Sequence, residues 1–324
     1  MVLDYFYGLK KQQNIDKFDN YLVENGLKNS MISEDPTESV QAVYDLLEVQ
    51  IGDMHSALVS PSYLVGSDHR VHTAFSQALY DSVIASGRIS DAQYDRYPDG
   101  IPGYEEIGNT AFISFVTFKP LEDGRDYYTD PPTADTSDTV GLCLYAFSQI
   151  TRDGSPVENV VLDLSCNAGG DTTTASFVLA MFLGEASICV EDTLTGAYAN
   201  ASFLADANLD GEFYNREDTL TDYNLYCLTS PQSFSCANLV ASVFKNTRLV
   251  TIIGQHTAGG SCIVMPLSLA DGTLVQISGC RSYSYMMNGS VHDIDEGVEP
   301  DIYIAKPASF FDREALSEFI NSTL

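Results

Sequence analysis

The chain is poor in positive charge. Of its 324 residues only 16 are lysine or arginine, against 45 aspartates and glutamates, a net charge of −29 at pH 7. A protein that binds nucleic acid by neutralising phosphates needs the opposite balance, so that class is excluded. An anionic membrane surface is disfavoured for the same reason. No run of 18 apolar residues occurs, so no segment reads as a membrane-spanning helix. The opening MVLDYFYGLKKQQN lacks the apolar stretch and small-residue cleavage site of a secretory leader. That leaves a cytosolic chain or the trimmed piece of a secreted one; a millimolar-calcium site would favour the extracytoplasmic reading. The seven cysteines form no C-x-x-C pair, which argues against zinc, and most sit in apolar runs such as GLCLYAF, as buried thiols do. G-x-G-x-x-G is also missing, so no dinucleotide fingerprint is present. No internal repeat or low-complexity tract is visible.

What is there is the composition of a globular chain, 44% hydrophobic. The length fits two domains at about 150 residues each. The first hundred residues read as helical. Asp35-Pro36-Thr37-Glu38 has a capping residue, a first-turn proline and a glutamate placed to complete a capping box. Val40, Val43, Leu47 and Ile51 then keep helical spacing up to Gly52. His72 to Ala85 is a second helix candidate, and RYPDGIPGYEEIGN reads as linker and loop. Beyond it, strand patterns (111–118, 159–164, 224–230, 248–254, 274–278 and 301–305) intersperse with helical ones (140–150, 172–184, 236–245 and 312–321). Alternation of this kind predicts an α/β domain over 105–324, after a mainly helical domain and linker over 1–104.

Three places could carry chemistry. Ser235 stands where LTSPQSF passes into the helix CANLVASVFK. There a nucleophile would feel the helix N-terminus, with the Cys236 amide unspent. The alternative is an ordinary N-cap serine. Asn167-Ala168-Gly169-Gly170 joins a buried strand to a helix; it reads as an anion-holding turn, or simply as a tight one. His55, in IGDMHSALVSP, could be a base, or a satisfied histidine between helix and loop. Separately, DANLDGEFYNRE (206–217) fits the calcium-loop pattern D-x-[DN]-x-[DN]-G-x5-E. It predicts a structural calcium ion held by Asp206, Asn208, Asp210, the Glu212 carbonyl and Glu217, with Gly211 making the turn. The alternative is an acidic surface insertion.

Taken in order, VVLDLSCNAGGDTT, SPQSFSCANLVASVFKNTRLVTIIGQHTAGG and DEGVEPDIYI resemble the tail-specific, or C-terminal-processing, serine peptidases. That family's pattern runs D-x-R-x-N-x-G-G, S-x-S-E, G-x-x-T-x-G and G-V-x-P-D. The resemblance spans about residues 105–305, and Asp53, His55 and Ser56 add its D-x-H-[ST]. The departures narrow it. Where the Ser/Lys branch has lysine directly after T-x-G, this chain has Gly260; Ser165 replaces the pattern's arginine and Asn238 its glutamate. The tricorn-like branch, which uses a histidine, is the one implied.

The resemblance implies a crotonase-like (ClpP/crotonase) α/β catalytic domain that cuts protein or peptide substrates without a cofactor for catalysis. About forty residues between the N-terminal helices and the strand at Phe112 are too few for a complete PDZ domain. It implies Ser235 as nucleophile, His55 as base, Ser56 as a supporting hydroxyl, and Cys236 with Gly169 or Gly170 as the oxyanion hole. The orienting acid is one of Asp293, Asp295 and Glu296, with Asp295 preferred. A non-catalytic module holding a peptide or apolar ligand on the same scaffold is the competing reading.

Overall fold

The computed structural model describes residues 15–60, 77–213, 216–287 and 290–323. Helices α1 (Phe18–Glu24), α2 (Leu27–Met31) and α3 (Pro36–Tyr44) come first, α3 running on as a π-helix to Ile51. Strand β1 (Ala57–Ser60) and helix α4 (Gln77–Arg96) follow, then β2 (Tyr104–Ile107), β3 (Thr110–Ser114), α5 (Thr139–Ile150), β4 (Asn159–Asp163) and α6 (Thr172–Leu183). Next come β5 (Ala186–Asp192), β6 (Ala197–Phe203), β7 (Asn224–Thr229), α7 (Cys236–Thr247) and β8 (Val250–Gly254). The chain closes with β9 (Cys262–Ser268), β10 (Leu274–Met287), β11 (Ser290–Asp293), β12 (Ile302–Tyr303) and α8 (Arg313–Thr323). Residues cluster into two compact units, both discontinuous, whereas the sequence reading draws a single cut after residue 104. The first holds 1–84, 190–199 and 262–283; the second holds 85–189, 200–261 and 284–324.

The first unit is helical at its N-terminal end. Asp35 caps α3 by accepting the Thr37 N–H at 2.9 Å, and Pro36 takes the first turn. The expected capping box does not close. Glu38 instead accepts from the hydroxyls of Ser30 (2.9 Å) and Ser33 (2.7 Å), because α2 folds back beside it. Gly52 ends the helix in the left-handed region, φ 63°. Phe18, Leu27, Val43, Leu46, Leu47 and Ile51 pack on Val275 and Ile277 of β10. Each such side chain contributes about 1.5–3 kcal/mol when fully buried. Strands β1 and β9 both pair antiparallel with β10. The helix expected from His72 begins outside the described residues; α4 is seen from Gln77 and continues past Ala85 to Arg96.

The second unit is built on a six-stranded sheet ordered β12-β8-β7-β4-β3-β2, parallel except for the β2–β3 pair. The strands follow one another steadily across it, so right-handed crossovers put α5, α6 and α7 on one face. Helix α8 covers the other, where Leu316 and Ile320 meet Phe112, Val161, Tyr226, Leu228 and Ile253. Covered on both sides, β3 and β4 are buried at every residue. The strand read over 111–118 is therefore buried throughout, and it is shorter, ending at Ser114. A second correction concerns 96–109, read as loop. Tyr104–Ile107 pairs with Thr110–Ile113 as a hairpin, turning at Gly108 (φ 62°) and Asn109. The architecture is mixed α/β with a helical N-terminal region.

Candidate active site

Strand β7 ends at Thr229, and after six intervening residues the chain enters α7 at Cys236. At the junction Ser235 has φ 56° and ψ −118°. A non-glycine residue there carries strain of order 1–3 kcal/mol and persists only where its surroundings fix it. Three bonds do so: Phe234 N–H donates to Asn167 O (3.2 Å), Ser235 N–H to Gly259 O (2.9 Å), and Ala258 N–H to Ser233 O (2.9 Å). The Ser235 side chain makes no capping bond. The ordinary N-cap alternative is thus set aside, and the hydroxyl stands on a strained strand-to-helix turn, the geometry of a nucleophile elbow.

The turn after β4 packs directly on it. At Gly169 (φ +101°) a Cβ would sit 2.7 Å from Ser235 Cβ and 3.0 Å from Cys236 N, so only glycine fits. Asn167 holds this turn with both ends of its amide, accepting the Gly169 N–H at 2.8 Å and donating to Phe115 O at 2.8 Å. The Gly169 amide is therefore spent, which narrows the expected pair of glycine donors. Gly170 and Cys236 keep N–H groups without a partner among the described residues. The two lie close, since the Cys236 thiol donates to Gly170 O at 3.1 Å. Burial pushes that thiol's pKa up, so it stays protonated and is no rival nucleophile.

On the far side of the Thr257–Gly260 turn lies the 293–298 segment. A Cβ on Gly259 would strike Asp295 O, and Gly260 N–H donates to that oxygen at 3.2 Å. The Asp295 carboxylate accepts from Ser261 N–H (2.9 Å) and Ser261 Oγ (3.0 Å). Asp293 accepts the Asp295 N–H and is exposed, as is Glu296. Asn238 on α7 clamps the assembly. It donates to Ile294 O at 2.8 Å and accepts from Thr257 Oγ1 at 2.7 Å, which in turn accepts the Val298 N–H. The sequence offered no sign of that role beyond an asparagine where the pattern has glutamate.

Ser235, Cys236, Gly169, Gly170 and Asp295 thus belong to the second unit, while His55 and Ser56 belong to the first. There Asp53, His55 and Ser56 form a buried turn. Asp53 accepts from the His55 N–H (3.3 Å) and from Ser56 Oγ. Ser56 Oγ also accepts the Ser278 N–H at 3.2 Å, and His55 O accepts from Gln276 at 3.0 Å. The Ser56 proton is therefore given to Asp53.

In the 206–217 loop the side-chain oxygens of Asp206, Asn208 and Asp210 accept local hydrogen bonds. Asp206 accepts from Asp210 N–H (3.1 Å), Gly211 N–H (2.8 Å) and Tyr128 OH (2.8 Å). Asn208 and Asp210 accept from Asp210 and Glu212 N–H. Residues 214 and 215 fall outside the described ones, and Glu217 lies on a short 3-10 turn, not a flanking helix. Among the described residues no group of three or more His, Cys, Asp or Glu is placed to hold a metal ion.

The sequence model of peptidase family S41 matches residues 143–304, half of the chain. The chain belongs to peptidase family S41. This is a family of serine-type peptidases, and the matched span holds Ser235, both turns around it and Asp295. This S41 chain resembles a lipoprotein from Streptococcus agalactiae at 15% identity and TM-score 0.56, over 99% of this chain and 93% of that one. A Parabacteroides merdae protein is similar at 15% identity and TM-score 0.57, over 94% and 86%. Both likenesses are of fold. The photosystem II D1 C-terminal processing protease matches at 22% identity and TM-score 0.44, over 61% of this chain and 42% of that one, so the chain spans less than half its length. No curated protein matches the sequence.

Proposed function

We propose that this S41 chain is a serine endopeptidase in which Ser235 attacks the peptide carbonyl and His55 takes its proton. The observation that carries the reading is the strained Ser235 beside two unspent amides, Gly170 and Cys236. In the tetrahedral intermediate the carbonyl oxygen becomes negative, and preorganised N–H donors stabilise it where water would have to reorient. Cys236 N–H adds the field of the α7 N-terminus. His55 then returns the proton to the leaving amine, and water repeats the cycle on the acyl-enzyme. Asp295 is the acid assigned to stabilise the imidazolium. Ser56 supports His55 through the Asp53 turn. With glycine at 260, no lysine follows T-x-G to act as base.

The steady order of five parallel strands, with crossover helices on one face, supports a crotonase-like catalytic domain. The short span from α4 to β2 supports the lack of a complete PDZ domain. Substrates are proteins or peptides. Fluorophosphonate labelling with mass mapping is the test: label on Ser235, lost in Ser235→Ala and strongly slowed in His55→Gln, is expected. No label on any serine would remove the catalytic reading and leave a binding module on the same scaffold.

A further inference from the structure

The last residue of β4, Asp163, is buried and ties together two distant parts of the second unit. One oxygen, Oδ1, accepts the Ser165 N–H at 2.8 Å, the bond that starts the turn leading to Gly169 and Gly170. The other, Oδ2, accepts from Arg313 Nη2 at 2.6 Å. Both side chains of this ion pair are 1% exposed. Arg313 begins α8, 150 residues away in sequence. Its fork also reaches Glu105 (3.1 Å) and Ser114 Oγ (3.1 Å), and its guanidinium lies 4.5 Å from the centre of the Phe112 ring. Burial works against the Arg313 charge, but the neighbouring carboxylates outweigh it and hold its pKa above the ordinary value.

We propose that Arg313 is a positioning residue for hydrolysis: it anchors Asp163 and cancels that carboxylate's charge at the root of the oxyanion turn. The inference rests on the reading of Ser235 and the Gly170 amide given above. Two physical effects support it. A planar fork with several partners fixes Asp163 in one orientation, and Asp163 fixes the first N–H of the turn. A buried carboxylate without its cation would also oppose the negative charge that forms on the substrate oxygen, and burial leaves that opposition poorly screened.

The test compares Arg313→Gln with Arg313→Gln/Asp163→Asn. In the double variant no unpaired carboxylate remains on β4, and the amide oxygen that replaces it can still accept the Ser165 N–H. Fluorophosphonate labelling at Ser235 and kcat on an unfolded protein substrate are expected to fall about 10- to 100-fold in Arg313→Gln, less than for loss of an oxyanion donor itself. KM should stay within about twofold, because uniform binding is untouched. The double variant should recover to within a few-fold of wild type, which a purely structural role for Arg313 does not predict. Near-ultraviolet circular dichroism establishes that each variant is folded. If Arg313→Gln is too unstable to assay, Arg313→Lys replaces it, keeping the charge and losing the fork. A folded single variant that labels at the wild-type rate, or a double variant no faster than Arg313→Gln, overturns the inference while Ser235 stands. Wild-type label on a different residue overturns the reading of Ser235, and this inference with it.

Discussion

Two loops of the second unit each hold a non-glycine residue at positive φ, Ser235 at 56° and Leu209 at 60°. Both matched a motif in the sequence, yet they are held in opposite ways. The Ser235 turn is fixed from outside, by Asn167 and Gly259, and its hydroxyl makes no capping bond. The 206–212 loop is fixed largely from within, the side-chain oxygens of Asp206, Asn208 and Asp210 accepting the amides of residues two to five positions on. Local bonds of this kind shape the loop without help from distant segments. Strain imposed by distant segments, in contrast, marks a place that packing holds for another purpose.

The comparison can be broken most sharply at Ser235. Ser235→Ala should lose several orders of magnitude in turnover, since removing one member of a catalytic unit can cost about 10⁴- to 10⁶-fold. The residual rate on an unfolded protein substrate measures this. Ser235→Gly should be equally inactive but melt higher than Ser235→Ala by about 1 kcal/mol equivalent, because glycine relieves the positive φ. Equal melting of the two would show that the turn is not strained.

Gly169→Ala comes next. Its new Cβ meets Ser235 Cβ, Phe234 O and Cys236 N at 2.7–3.0 Å, and backbone atoms cannot yield. Labelling at Ser235 should slow by about 10²-fold, comparable with loss of an oxyanion donor. Stability should fall by about 1–3 kcal/mol, as for other overpacked sites. An unchanged labelling rate would detach the 167–170 turn from the reaction.

Asn238→Ala takes from Ile294 O one of its two donors, the Gly297 N–H remaining, and leaves Thr257 Oγ1 without its acceptor, both in buried surroundings. A loss of about 1–3 kcal/mol is expected in urea unfolding. Turnover should fall with it if the clamp positions Asp295, and remain unchanged if it only stabilises the fold.

The smallest effect belongs to the acidic loop. Asp218 is buried, its Oδ1 accepting from the Ala207 and Asn208 N–H groups, its Oδ2 without a partner among the described residues. Burial raises its pKa, with Asp206 and Asp210 adding to the rise. A carboxyl whose folded pKa lies above its unfolded value favours folding at low pH, and that contribution is lost as pH rises through the folded pKa. Asp218→Asn should therefore raise the melting temperature at pH 7 and raise it less near pH 4. The gain should be about 1 kcal/mol, the low end of the cost of an unsatisfied buried oxygen. Calorimetric titration with calcium sharpens the contrast: uptake that is equal in wild type and Asp206→Ala/Asp210→Ala would take the loop out of any cation binding.

The chain's local rules determined much of this molecule. Asp35 and Pro36 start α3, and Gly52 stops its continuation, because caps and breakers act within a few residues. The apolar run at 159–163 is a strand covered on both faces, and Ser235 stands between a strand and a helix, as periodicity and turn chemistry predict. The tertiary structure alone decided the rest. It made a strand of Tyr104–Ile107 by giving it β3 as a partner, and it extended β10 to Met287. It spent the Gly169 amide on Asn167 and kept that of Gly170. It brought Arg313 to Asp163 across 150 residues. A hydrogen-bond partner is chosen by which segments packing brings together, and a pairing so distant leaves no periodic trace in the chain.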